Sequence, residues 1–241
     1  MEKYTNKDIE WLLNLQKESS SQAVQKSKTG WKRIVFRVVM ALCGIVGLIV
    51  FPFFLLIRFS VYLNLTHSMP AWPALIGGIT ATICLLLAYL FLLSFKMANK
   101  KRLMKIGLIG ISTMVFGYCL FSVFYLSSVH AKSAEVQDVY RSMHPIMRVA
   151  VSTVTLADND LVITDIERME DDYNRMGLPV NQSSLHYRQE SGYVQAVDIR
   201  TFDRGFVRNA LLRGSLELMG FNTIRHVGTA DHLHVELRPL N

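Results

Sequence analysis

The chain has 241 residues, enough for one sizeable core or two small ones, and 51% of them are hydrophobic. Its net charge of +7 would suit a nucleic-acid binder, but the placement of that charge argues against one. Residues 1–33 carry seven Lys and Arg against four acids, residues 96–105 carry five against none, and residues 129–241 carry twelve against fifteen.

In chain order, residues 5–17 (TNKDIEWLLNLQK) predict a short amphipathic helix, with Ile9, Leu12, Leu13 and Gln16 on neighbouring positions. Two roles fit it: docking onto a cytoplasmic partner, or lying on a membrane surface through Trp11 and the lysines. The stretch ESSSQAVQKSKTG then reads as a linker. Three runs follow that lack any Asp, Glu, Lys, Arg or His: 38–57, 71–95 and 106–128. A bilayer-spanning helix needs roughly 20 predominantly apolar residues. Each run qualifies, so three transmembrane helices are expected. Pro52 removes one backbone donor from the first. No acid, Lys or His lies inside a run, as transport chemistry at the midplane would need, so the spans read as an anchor or an assembly surface.

The excess basic residues flank the spans on one side, which is the positive-inside pattern. It places the N-terminus and the 96–105 loop in the cytoplasm, and the 59–70 loop and everything after about Val129 outside. Cys43, Cys84 and Cys119 all fall within spans, so the outer part has neither a disulfide framework nor a thiolate ligand. Four parts result: residues 1–33, a cytoplasmic helix and linker; 34–128, the membrane region; 129–157, a helical connector broken near Pro145 that lifts the outer domain off the membrane; and 158–241, a compact domain.

In that domain, DLVITD (160–165) predicts a strand and IERMEDDYNRMG (166–177) a helix stopped by Gly177. YVQAVDIR (193–200) alternates like a strand. DRGFVRNALLRGSLELMG (203–220) predicts a helix with Asp203 as N-cap and Gly220 just past its end. HLHVELR (232–238) alternates again. The expected fold is an α-helical membrane part with three transmembrane helices, plus an α+β extracytoplasmic domain with a small antiparallel sheet.

Alternate residues of a strand share a face, so His232, His234 and Glu236 point one way while Leu233, Val235 and Leu237 point into a core. On the other strand, Asp198 shares its face with the small Ala196, which leaves room for an ion. Two imidazoles and a carboxylate suit zinc. Three protein ligands leave a fourth position open, the layout of a catalytic site. Taken alone, a His-x-His pair is more often simply solvated, and a lone strand aspartate is usually a salt-bridge or edge residue.

The order of the motifs adds weight. Arg168 after a first strand, S-L-H at 184–186, A-V-D-I at 196–199 and H-L-H at 232–234 together resemble the zinc peptidases of the D-Ala-D-Ala carboxypeptidase group, whose fold is shared with the hedgehog signalling domain. The resemblance covers residues 160–239. It implies a Zn2+ cofactor held by His186, Asp198 and His234, with His232 as the catalytic group, Arg168 binding a substrate carboxylate or carbonyl, and Ser184 supporting the His186 loop. Arg168 also reads as a helix arginine paired with Asp171 or Asp172. The family spaces its histidine and aspartate seven positions apart, whereas His186 and Asp198 are twelve apart. Either the intervening loop bulges and His186 still reaches the ion, or Ser191 stands where the ligand belongs. His226 is a reserve ligand.

The activity that the resemblance implies is hydrolysis of peptidoglycan stem peptides by a zinc carboxypeptidase or endopeptidase anchored in a bacterial inner membrane, with its C-terminal domain periplasmic or extracytoplasmic. The rival reading is a non-catalytic subunit of a secretion, conjugation or motility machine. It would bind cell wall or partner subunits through a retired peptidase domain, the spans and the N-terminal helix.

Overall fold

The structure, a computed structural model, describes residues 6–95, 97, 99–175, 177, 179–228 and 231–238, with the backbone alone for residues 6, 8 and 19–30. Helix α1 (Asn6–Thr66) runs through the stretch expected to be a linker. No proline interrupts it before Pro52, and its one early glycine, Gly30, costs only about 1 kcal/mol relative to alanine. Local propensity therefore carries the helix where composition suggested a loop. The chain up to Val50 is a unit of its own, and its described side chains are exposed.

The second unit begins at Phe51. It contains the end of α1, then α2 (Ala71–Ser94) and α3 (Lys100–Phe124). Residues Trp31–Thr66 of α1, with α2 and α3, are three helices long and apolar enough to cross a membrane. The end of α1 packs closely on α2, because Gly78 has no side chain to collide with Ser60 and the Leu56 carbonyl.

Past α3, the short α4 (Ala134–Asp138) is capped by Ser133, whose hydroxyl accepts from the Val136 amide at 3.4 Å. A 3₁₀ turn over residues 139–142 leads to α5 (Pro145–Ala157). This connector is more than a spacer. Ten of the 13 residues of α5 are buried, and the helix packs on α2, α3 and α7. Pro145 starts the helix instead of breaking it, since the first turn needs no amide donor. An apolar face on every side is what a central helix requires.

Polar contacts lock α5 and its neighbours to the helix ends. Tyr140 donates to the Ser122 carbonyl at 2.6 Å, the Arg148 guanidinium donates to the Val123 carbonyl at 2.8 Å, and Tyr118 and Thr153 share a hydrogen bond at 2.7 Å. Trp72 donates its indole N–H to the Tyr193 hydroxyl at 2.9 Å. One core runs from Leu56 and Ile57 through Val115 and Val123 to Val149, Ile163, Val197 and Leu233.

The rest is β1 (Ile163–Asp165), α6 (Glu170–Arg175), β2 (Ala196–Arg200), α7 (Phe206–Met219), β3 (Asn222–His226) and β4 (His232–Glu236). The four strands form an antiparallel sheet in the order β1-β2-β4-β3. The sequence reading did not anticipate β3. Its segment NTIRH has one large aliphatic residue and is largely exposed, as befits a strand at the sheet edge. Helix α6 is shorter than the 166–177 pattern, and residues 166–169 form a loop before it. Gly177 follows with φ +65°. Helix α7 starts at Phe206 behind Gly205, not behind Asp203, which has φ +59° and does not cap it. Gly220, at φ +102°, closes α7: its amide donates to the Glu217 carbonyl at 3.0 Å, and the Phe221 amide to the Leu216 carbonyl at 3.1 Å.

Candidate metal centre

The site is built on the β2–β4 pairing. Asp198 lies directly opposite His234, and Ile199 lies opposite Leu233. Directly opposed residues of an antiparallel pair have side chains in contact range. Leu233, Val235, Val197 and Ile199 are each at most 1% exposed, so the core fixes the register and turns Asp198 and His234 to the other face. His234 Nδ1 sits 2.8 Å from Asp198 Oδ1.

His186 arrives from the loop between α6 and β2. The Ser184 hydroxyl accepts from the His186 amide at 3.3 Å and from the Tyr173 hydroxyl at 2.7 Å. Ser184 therefore supports the His186 loop through a buried tyrosine that the sequence reading did not single out. The His186 ring is fixed by its Nδ1, which lies 2.7 Å from the Ile166 carbonyl. A carbonyl only accepts, so Nδ1 is the donor in that contact and Nε2 is the ring nitrogen turned toward the other two side chains, where it can ligate when the ring is neutral. Nε2 is 3.3 Å from His234 Nδ1 and 3.4 Å from Asp198 Oδ1. A ligating histidine anchored through its other nitrogen to a carbonyl is a common arrangement around metals.

The long spacing to Asp198 is absorbed locally. Residues 188 and 194 pair antiparallel, the Gln189 amide donates to the Tyr193 carbonyl at 3.0 Å, and Gly192 turns the chain at φ +78°. The extra residues make a small hairpin that leaves Ser191 exposed, while His186 is 1% exposed beside Asp198.

His186, Asp198 and His234 form a group whose ligand atoms lie within 4.8 Å of one another, and it could hold a metal ion. The fit can be tested on distances. Tetrahedral ligands about 2.0–2.1 Å from zinc stand about 3.3–3.4 Å apart. Two of the three separations, 3.3 and 3.4 Å, match that edge. The third, 2.8 Å, is a hydrogen bond whose proton must leave before His234 Nδ1 can ligate.

Asp198 is 2% exposed. Burial alone would raise its pKa, but hydrogen bonds with His186 and His234, and the charges of His186 and Arg168, outweigh that and hold the carboxyl well below the usual range. Arg168 donates from Nη2 to Asp198 Oδ2 and from Nε to Asp165 Oδ2, each at 2.5 Å. Burial disfavours its charge, yet those two carboxylates hold it protonated. Arg168 thus lies in the loop before α6 and pairs with neither Asp171 nor Asp172; Asp172 pairs with Arg175.

A cavity of about 310 Å³ opens over the group, and Arg168, Tyr173, His226, His232, Glu236 and Arg238 are among the residues lining it. His232 Nε2 is 3.7 Å from Asp198 Oδ2. His226, opposite His232 in the β3–β4 register, stacks on its ring at 4.9 Å between centroids. Burial, then the like charges of His232 and His234, push the His226 pKa down. Glu236 Oε2 lies 3.7 Å from His234 Nε2. The alternation of β4 already put Glu236 on this face; it was a site residue in plain view.

Comparison of the chain with family models, curated proteins and solved structures finds no match. The likeness to zinc peptidases rests on the motif residues alone.

Proposed function

We propose that the chain is a membrane-anchored zinc-dependent peptidase acting on the stem peptides of peptidoglycan, as a D,D-carboxypeptidase or endopeptidase. The observation that carries this reading is the grouping of His186, Asp198 and His234, three side chains from separate segments whose ligand atoms lie within 4.8 Å of one another under an open cavity, two of the three separations matching a tetrahedral edge. His186 Nε2, Asp198 Oδ1 and His234 Nδ1 would hold the ion. Zinc, when bound there, supplies Lewis-acid polarisation of a carbonyl and activation of water.

The chain's own groups do the rest. His232 lines the cavity beside the group and can take or give a proton at its ring. Arg168 is engaged with two carboxylates, so its role is to orient Asp198. Arg238 lies on the cavity wall, where a guanidinium suits a substrate carboxylate. The basic cytoplasmic-type loops support an outward-facing domain, on the side where peptidoglycan lies.

The full-length chain, purified in detergent and supplied with zinc, is expected to release D-Ala from muropeptides or open their cross-links, read by mass spectrometry. His234→Ala is expected to lose both the metal and the activity. A zinc-loaded chain that leaves every muropeptide intact would overturn the peptidase reading.

One observation favours the rival, a binding subunit of a membrane assembly. The ends of all three long helices share a core with the outer domain, which a simple tether does not need. A chain that takes up no metal yet retains cell-wall fragments would support it.

A further inference from the structure

Helix α7 is apolar on two opposite faces. Its inner face buries Leu212, Leu216 and Met219. Its outer face presents Phe206, Val207, Leu211 and Leu218, which are 81, 67, 66 and 69% exposed. At 3.6 residues per turn Val207, Leu211 and Leu218, with Gly214 between them, recur at i, i+4, i+7 and i+11 and form one stripe along the helix, opposite the buried residues, while Phe206 opens the first turn to one side of it. Ion pairs border it: Arg208 with Asp158 and Asp160 on one flank, Arg213 with Glu217 on the other. Phe202 and Leu156, 56 and 61% exposed, lie just before α7 and at the end of α5. Scattered exposed apolar residues are ordinary, but a continuous helix-long stripe marks an interaction surface.

The position of α7 identifies the occupant. Its closing residue, Gly220, packs against Arg58 and Val61 of α1. Arg58 is the first charge after the uncharged run of residues 38–57. Twenty helical residues rise about 30 Å, the thickness of the hydrocarbon layer. The last turn of α7 therefore stands where a bilayer spanned by α1 would place its headgroups. α5, which packs on α7, is hydrogen-bonded to Tyr118, six residues before the end of α3.

We infer that α7 is an interfacial helix whose outer face lies in the headgroup–acyl boundary of the bilayer, seating the metal-site domain on the membrane surface. This rests on the reading that α1–α3 span that bilayer. An amphipathic helix with Phe and Leu on one side and charges at its flanks is the chemistry such a boundary binds. Arginine stems at the flanks can lie along acyl chains while their heads stay in water.

The test uses the full chain in lipid nanodiscs, with Cys43, Cys84 and Cys119 replaced by serine. Val207→Cys, Leu211→Cys and Leu218→Cys are spin-labelled one at a time, with Ala88→Cys, exposed and well inside α2, as the spanning control. Collision rates with oxygen and with a water-soluble nickel chelate are then compared. Labels on α7 are expected to meet oxygen several-fold more than nickel, at a shallower depth than the label at 88. Nickel-dominated collisions on α7, with position 88 in lipid, would overturn the inference and leave the spanning reading intact. Protection from both reagents would mean that protein covers the face, and would overturn it too. Nickel access at position 88 would sink the spanning reading and the inference together. Leu211→Trp in the native chain, quenched by brominated lipids, reads the same depth if the serine background fails to fold; no added quenching would count against the proposal.

Discussion

Arg168 and Asp198 meet through a 2.5 Å hydrogen bond from Nη2 to Oδ2, which leaves Asp198 Oδ1 alone to face His186 and His234. One carboxylate oxygen is thereby held by the scaffold, and the other faces the group that could hold a metal ion. Removing one partner of a largely buried ion pair costs about 3–5 kcal/mol, because the other charge is left uncompensated. Partners that orient a ligand are typically worth 10–100-fold in metal affinity. Arg168→Ala is expected to weaken zinc binding by about that factor, measured by competition with a chelating dye, and to lower the Tm of the full chain in detergent. Arg168→Lys should restore part of both, since a lysine supplies the charge without the planar fork. Unchanged zinc affinity in Arg168→Ala would show that Asp198 needs no such holding.

Tyr173 acts one step further out. Its hydroxyl donates to Ser184 at 2.7 Å, and Ser184 in turn accepts from the His186 amide. Tyr173→Phe keeps the ring, which stacks near the Arg168 guanidinium, and loses the bond. A net cost of about 1 kcal/mol is expected, together with a smaller loss of zinc affinity than in Arg168→Ala. The paired measurements of Tm and chelator competition separate the two effects.

What could be read from the sequence, and what could not, follows from physical periodicity. The three apolar runs and the two alternating strands were legible because the bilayer length rule and the two-residue strand repeat leave direct marks on composition. His186, Asp198 and His234 were found through motif order, and the structure brings them together. Edge strand β3 was missed, because a strand with little to bury has no alternation to show. The acid-rich run 166–177 predicts a helix over Arg168 while the motif order sets it after a first strand; the structure has it in the loop between β1 and α6, paired with Asp165 and Asp198. Helix α5 was read as a connector because proline usually breaks a pattern, whereas here it begins one. The Tyr173–Ser184 contact depends on tertiary placement of two loop-flanking residues, and no local spacing encodes it.

Gly220 is a backbone requirement that a single methyl group can expose. Its φ of +102° is costly for any L side chain, and an added Cβ would strike the Arg58 guanidinium and come within 2.9 Å of Val61. Gly192, at φ +78°, has open space around it. Gly192→Ala should cost only the backbone term, about 1–2 kcal/mol. Gly220→Ala should cost more, since α7 must also move relative to α1. Thermal unfolding of both variants, in parallel, checks the ordering. Equal losses would mean that the Arg58 contact is slack.

His144 gives the fold a pH dependence that can be separated from that of the carboxylates. It is 1% exposed, its Nδ1 finds no hydrogen-bond partner among the described residues, and burial, with the nearby Arg148 charge, lowers its pKa from 6.5 to about 4. Between those values the unfolded chain binds a proton that the folded chain refuses, so stability falls as pH falls. The contribution is complete above about pH 6.5 and is lost progressively down to about pH 4. The gap of about 2.5 units corresponds to about 3 kcal/mol. Asp198 and Asp158, whose pKa values are held below 3.8, lose their contributions only at lower pH still. The Tm of the full chain in detergent should therefore decline between pH 6.5 and 4, and His144→Phe should remove most of that decline, leaving the part that His226, whose pKa is also lowered, contributes, and the fall below pH 4. A wild-type Tm that stays level down to pH 4 would show that His144 takes up its proton without leaving the core.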